Sequence, residues 1–480
     1  MKRYVLIYIE STWHFLNVDD YTDYTHSPPH PNHLFITAQT SDLVRYLTAE
    51  YPNRKLPNIV DLESLDKQMS QEGKDIRIFD DWSLLSSLRH HKIIDSEFEL
   101  CHIQSFLECV AKLFTHLYDK DEEEVKRFES VEQTINNILF KRQALGIRID
   151  SEIAKNRCRI LEKEIYSIKN SLQLDYSIYT PDNQKLQLCY LKSKGYNIIH
   201  TPLYTFKIRR NEDPICQLFY QLIRNKQDLD SLLYILAHWG GAERTHPSFL
   251  GFGTITSRII LRQPALQNLR KTNRDIIISD KGMKLLYPDY SQFEAGILAS
   301  LSDDDELINL YNTDIYTDIA DKVLNDRDRR EEAKIIFYRY MYGDTTLDDQ
   351  SNTYFKKFKK LQEYIKTVQQ KLLSDLRIGT TNGNFRHIKE EEETSWSLSH
   401  AVQSFASLIY KNAIIRVQVD IPTVEFLIPM HDATLYQVNR NSYEECKEKI
   451  KHIYIDEFKK LCPKIEPRVN FDEFFANNQL

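Results

Sequence analysis

Two aspartates end short apolar runs in this chain: Asp289 in YPDYSQFEAG (287–296) and Asp432 in PMHDA (429–433). A carboxylate at the end of a buried strand is costly unless it is paired or bound to a metal. Two such aspartates on the strand ends of one sheet can hold two Mg²⁺ about 4 Å apart, the clamp used in phosphoryl transfer. Each acid also has a plainer reading. Aspartate is at home in turns, which would cover Asp432. Ser291 and Glu294 fit S-x-x-E, a capping box that satisfies the first amides of a helix.

Two further segments suit an anionic substrate. In RREEAKIIFYRYMYG (329–343), Arg330, Lys334, Tyr338 and Tyr342 recur every fourth residue. At 100° per residue each step drifts by about 40°, so the four form one slowly turning helical stripe. Its basic half suits a triphosphate and its aromatic half a base to stack on; a solvated face with inward-packed tyrosines is the plainer alternative. TITSRIILRQPALQNLRKTNR (254–274) carries five basic residues and no acidic one. Interleaved Gln267 and Asn268 can hydrogen-bond sugar or base edges, although a solvated basic loop would look the same.

These residues need a scaffold. VEFLIPMHDATLYQV (424–438) reads as two strands with His-Asp at the turn. Residues 397–418 read as a long helix, TTNGNF (380–385) as a hairpin turn, and LGIRIDSE as a glycine turn, short strand and helix cap. The 480 residues, 41% hydrophobic and 28% charged, are enough for two or three domains. No apolar run is long enough to span a membrane. The seven cysteines are scattered, with no C-x-x-C, so neither a zinc knuckle nor a disulfide framework is indicated and a reducing cytoplasm is the simplest location. The net charge of −7 argues against a protein that coats nucleic acid, but not against a local basic groove.

In order and spacing, these segments resemble the family A DNA polymerases. DYSQFE is similar to the family's first palm motif, HDA to its last, and RxxxKxxxYxxxYG (Arg330 to Gly343) to its fingers helix. TSRxxxxxPxLQN (256–268), LGIRID, PDNQKLQLCYLKSKG (181–195), RIGTTNGNFR and Gln403 in HAVQSFAS fall where the family carries comparable stretches, so the resemblance runs from about 130 to 480. It implies an α+β right-hand polymerase: an antiparallel palm sheet (about 251–300 and 401–480), helical fingers (about 301–400) and a helical thumb (about 126–250). It also implies a DNA-directed DNA polymerase with primer–template DNA and deoxynucleoside triphosphates as partners, and two Mg²⁺, replaceable by Mn²⁺. Asp289 and Asp432 would hold the metals. Arg330 and Lys334 would hold the triphosphate, with Lys334 protonating pyrophosphate. Tyr338 would lie on the sugar, Tyr342 near the templating base, and Glu294 against the sugar 2′ position. Arg258, Gln267, Asn268, Arg270, Gln403 and His431 would contact DNA. A monomer is expected, with a processivity or operon partner left open.

The departures are informative. The last motif ends in Ala433 rather than glutamate, T-G-R is T-S-R with Ser257, Phe405 stands in the segment after Gln403, and the arginine expected eight residues before Gln403 is Ser395. Residues 1–125 fall where the family carries a 3′→5′ exonuclease. There YVLIYIES offers Tyr8 and Glu10 in place of D-x-E, and IRIFDDWSLLSSL resembles the second exonuclease motif with Asp80 or Asp81. One carboxylate short, this small α/β domain is expected to lack proofreading. Two rival readings stay open: a single-subunit RNA polymerase, disfavoured by Glu294, and a non-catalytic nucleic-acid-binding relic, favoured by Ala433.

Overall fold

The structure, a computed structural model, describes residues 2–73, 77, 81–95, 97–98, 102–198, 201–239, 243–388 and 394–475. The chain divides into two compact units. One comprises Met1–Leu145, Ser248–Arg262 and Lys281–Asp472; the other comprises Gly146–Pro247, Gln263–Asp280 and Glu473–Leu480.

The first unit begins with a five-stranded sheet in the order Tyr24–Thr25, Thr12–Asn17, Arg3–Ile9, Leu34–Thr37, Asn58–Asp61. The first three strands are joined antiparallel, and Arg3–Ile9, Leu34–Thr37 and Asn58–Asp61 run parallel. Parallel neighbours need a crossover, supplied by the helix Thr40–Glu50. Val5, Leu16, Ile36 and Val60 from the strands meet Leu65, Met69, Leu107, Val110 and Phe114 from the helices in one core.

The second sheet of this unit carries both aspartates. Its order is Met283–Leu286, Ala433–Asn439, Pro288–Tyr290, Val469–Phe471, and Glu425–Met430 also pairs with Ala433–Asn439. All its pairings are antiparallel. Ala433–Asn439 is buried along all but its last residue. Long helices Ser397–Asp420 and Tyr443–Leu461 pack against each other beside it. Helices Asp305–Thr313, Ile315–Lys322, Arg330–Met341, Asp349–Lys356 and Lys359–Asp375 follow the helix Phe293–Ser302, and a hairpin pairs Arg377–Thr380 with Gly383–His387 as the TTNGNF pattern predicts.

The second unit is helical. Gly146 (φ 70) turns the chain into the two-residue strand Ile147–Arg148, which pairs with Arg244–Thr245. Asp150 then caps Ser151–Tyr176 by accepting from the amides of Glu152 at 3.1 Å and Ile153 at 3.0 Å. That long helix packs against Pro214–Trp239, and Ile168, Leu172, Leu191, Phe206, Phe219 and Leu222 form the core. The unit opens at Gly146, and residues 126–145 belong to the first unit. It also takes Gln263–Asp280, so the basic segment 254–274 is divided between the units.

Candidate nucleotidyl-transfer site

Backbone register sets the two aspartates side by side. Asp289 lies opposite Ala433 across the ladder, and the amide of Tyr290 donates to the carbonyl of Asp432 at 3.3 Å. Met430 pairs with Ala433, leaving His431 and Asp432 as a two-residue turn entered through His431 at φ 60. Both aspartates are half-buried. Burial raises the Asp432 carboxyl above its usual range, while Arg258, His431 and Lys334 pull it back.

Glu294 comes from the start of the helix Phe293–Ser302 and is 1% exposed. The capping-box reading of Ser291 and Glu294 fails. The residue at the cap position is Gln292, in the left-handed region at φ 53, and no side chain caps the helix. The Gln292 amide oxygen instead accepts from the Ile315 amide at 3.0 Å. Glu294 Oε1 accepts from Arg258 Nη2, and Glu294 Oε2 is buried with no hydrogen-bond partner among the described residues. Burial pushes Glu294 up to about 7; Arg258 opposes that rise and Asp432 adds to it. Burial alone would weaken the Arg258 charge, but Glu294 and Asp432 more than offset it and raise its pKa.

The helix Arg330–Met341 brings the predicted stripe to the same carboxylates. Arg330 Nε donates to Asp314 Oδ2 at 2.7 Å, and its guanidinium lies 5.1 Å from the centre of the Tyr316 ring. The Lys334 ammonium is exposed, 5.9 Å from the Tyr316 ring and 6.0 Å from that of Tyr338. Tyr338 and Tyr342 have ring centres 6.0 Å apart. Burial raises the Tyr338 phenol, with Tyr316, Glu294 and Asp432 adding to the rise, so it is a neutral hydroxyl. Tyr342 Oη accepts from Gln403 Nε2 at 2.9 Å. Gly343 ends the helix at φ 73, where a Cβ would come within 2.7 Å of the Ser395 carbonyl oxygen. Sequence reasoning missed Tyr316 and Asp314, which hold the basic half of the stripe; neither lies on its four-residue spacing.

The other predicted DNA contacts divide between the units. Arg258, Gln403 and His431 are in the first; Gln267, Asn268 and Arg270 are in the second. Several cations of the basic segment are already paired within their own units: Arg258 with Glu294, Arg262 with Glu63 at 3.0 Å, and Arg270 with Asp228.

In the first sheet the carboxylates have local work. Tyr8 is 43% exposed, and its backbone is held by Gln39, which accepts from its amide at 2.6 Å and donates to its carbonyl at 3.1 Å. Glu10 lies beyond the strand at φ 50. Asp61 accepts from the Ser64 amide at 2.8 Å and Thr40 Oγ1 at 2.7 Å, and Asp81 accepts from the Ser83 amide at 2.9 Å. Asp80 lies outside the described residues. Among the described residues no cluster of three or more His, Cys, Asp or Glu could hold a metal, and no helix is long and apolar enough to cross a membrane.

The family model for DNA polymerase family A matches residues 148–471. The chain is 23% identical to DNA polymerase I of Caldicellulosiruptor bescii over 68% of its own length and 44% of that protein. It is 22% identical to DNA polymerase I of Helicobacter pylori (68% of this chain, 41% of that protein) and 22% identical to the thermostable enzyme of Thermus filiformis (71% and 47%). It thus spans less than half the length of these relatives. Among solved structures, the POL domain of Pol1 from M. smegmatis, in complex with DNA primer–template and dNTP, matches with a TM-score of 0.77 at 17% identity, over 98% of this chain and 94% of that one. The fold is therefore the α+β right-hand polymerase fold. With the family model spanning two thirds of its residues, the chain belongs to DNA polymerase family A.

Proposed function

We propose that the chain is a DNA-directed DNA polymerase that extends a primer 3′-hydroxyl with deoxynucleoside triphosphates. The observation that carries this reading is the register of Asp289 against Ala433, next to Asp432, together with Lys334 acting electrostatically on Asp432 and Glu294. Two carboxylates on neighbouring strand ends, with Asp432 raised by burial, fit Mg²⁺, which is commonly held by one or two protein carboxylates with substrate phosphates and water completing the shell. Asp289 and Asp432 would hold two such ions, with Mn²⁺ as a substitute. When bound, they supply charge neutralisation on the phosphates and activation of the primer hydroxyl.

The chain's own residues account for the remaining steps. The primer 3′-hydroxyl gives up its proton to solvent as its oxygen bonds to the α-phosphorus, and the bond from that phosphorus to the oxygen bridging to the β-phosphate breaks, so pyrophosphate leaves. Arg330 and Lys334 bind the triphosphate, for which Arg330 exchanges Asp314 for phosphate oxygens. Lys334 donates a proton to the leaving pyrophosphate. Tyr338 lies on the incoming sugar and Tyr342 beside the templating base. Glu294, held by Arg258, closes the 2′ side and disfavours ribose. Arg258, Gln267, Asn268, Arg270, Gln403 and His431 are the proposed DNA contacts. The first sheet is read as an exonuclease-like scaffold without proofreading, supported by Tyr8 at the ligand position, by Asp61 serving as a helix cap and by Asp81 bonded to the Ser83 amide.

A second reading, a catalytically weak relic that binds nucleic acid, is favoured by Ala433. Primer extension with deoxy- and ribonucleotides side by side separates these two and the single-subunit RNA polymerase alternative. Template-directed extension with deoxynucleotides supports the polymerase, efficient ribonucleotide use points to an RNA polymerase, and DNA binding without extension supports the relic. Shortening of a mismatched, end-labelled primer that disappears in the Asp80→Ala, Asp81→Ala double variant would refute the absence of proofreading.

A further inference from the structure

Ser257 replaces the glycine that the T-G-R pattern carries, yet it sits at φ 63, a conformation that glycine adopts freely and serine does not. The contacts of its side chain account for this. The Ser257 hydroxyl donates to Glu132 Oε1 at 3.0 Å and accepts from Arg127 Nη2 at 3.3 Å and from Lys411 Nζ. Ser257, Arg127 and Lys411 are fully buried and Glu132 nearly so. The Ser257 carbonyl accepts from Ser407 Oγ at 2.6 Å. The turn around it is closed by the Ser257 amide on the Thr254 carbonyl (2.9 Å), the Gly253 amide on the Arg258 carbonyl (2.9 Å) and the Arg258 amide on Thr254 Oγ1 (3.1 Å). The next residue, Arg258, leaves this turn to reach Glu294.

We propose that Ser257 is a positioning residue for Arg258. Its hydroxyl ties the turn to the buried Arg127–Glu132–Lys411 cluster, which fixes the direction in which Arg258 leaves toward Glu294. A serine here exchanges the freedom of glycine for an anchor. The kinetic consequence rests on the polymerase reading above; the anchoring does not.

Ser257→Gly suits the backbone and removes every hydroxyl bond. The measured quantity is the ratio of deoxy- to ribonucleotide incorporation efficiency, in which differences in folded fraction cancel. Ser257→Gly and Arg258→Ala should each shift this ratio roughly 10-fold, within the coupling range of contacting residues, and the double variant should match Arg258→Ala alone. An equal additional shift in both backgrounds, or none in Ser257→Gly, overturns the proposal. Hydrogen exchange of the 253–258 amides tests the anchoring without activity: faster exchange in Ser257→Gly supports it, and unchanged exchange overturns it. If the unmodified protein extends no primer, the polymerase reading fails and the exchange comparison decides the anchoring.

Discussion

Replacing Glu132 by glutamine should unfold the first unit more readily than any neutralisation of the cations around it. Glu132 accepts from Arg127 Nε at 3.1 Å, from Lys411 Nζ at 2.5 Å and from Ser257 Oγ at 3.0 Å. Two fully buried cations thus share one bonded carboxylate. Glutamine keeps the shape and removes the charge, and an uncompensated buried charge costs about 3–5 kcal/mol. Lys411→Met removes one cation but leaves Glu132 paired with Arg127, so no buried charge is left uncompensated and a smaller loss, about 1–2 kcal/mol for the hydrogen bonds removed, is expected. The pH dependence gives a second reading of the same cluster. Burial lowers the Lys411 ammonium from 10.5 to about 8; Glu132 opposes that shift and Arg127 adds to it. Because the folded pKa lies below the unfolded one, the unfolded chain holds an extra proton between about pH 8 and 10.5 and stability rises with pH through that window. At about 1.4 kcal/mol per pH unit the rise is about 3 kcal/mol, and Lys411→Met should remove it. Urea unfolding followed by tryptophan fluorescence, at pH 7.5 and at several values up to 10.5, measures both effects. The reasoning is refuted if Glu132→Gln costs less than Lys411→Met, or if Lys411→Met keeps the full alkaline rise.

Asp289→Asn and Asp432→Asn should each lower primer extension by at least about 10³ while leaving DNA binding within a fewfold, measured by single-turnover extension and fluorescence anisotropy; more than a tenth of the activity retained in Asp432→Asn would sink the two-metal assignment. The unmodified protein should accept dideoxynucleotides nearly as well as deoxynucleotides, because the Tyr338 hydroxyl can replace the missing 3′-hydroxyl contact. Tyr338→Phe should restore discrimination by roughly 10- to 150-fold, equivalent to about 1–3 kcal/mol for an unmade hydrogen bond, and competition at a single template site reads the ratio. Arg270→Ala leaves Asp228, which is 6% exposed, without its ion-pair partner. It should destabilise the second unit by about 1–3 kcal/mol, seen in its melting curve, and flatten the salt dependence of DNA binding; an unchanged salt slope would remove Arg270 from the proposed phosphate contacts.

The elements legible in the sequence were those set by local rules. Gly146, strand and Asp150 cap follow LGIRIDSE because a left-handed glycine and an N-cap carboxylate act within a few residues. The hairpin carrying His431 and Asp432 is fixed by two apolar runs around two residues. The sharing of the basic segment between two units was not legible. Its cations look like a free stripe in one dimension, and only the fold brings Glu63, Glu294 and Asp228 to Arg262, Arg258 and Arg270.

Glu294 marks the limit of local reasoning most clearly. Its spacing from Ser291 satisfies the capping-box pattern, and the pattern would be right if the helix entry were relaxed. Gln292 instead enters the helix in the left-handed region and uses its side chain to hold the Ile315 amide, so Ser291 is no cap and the Glu294 carboxylate is released. That carboxylate is then spent on Arg258, which reaches it from a turn held by Ser257. A buried acid at about 7 with one unbonded oxygen is a poor helix cap. In the proposed site it would hold an acidic group out of water until a substrate contacts it, because desolvation makes every contact it then gains or is denied count for more.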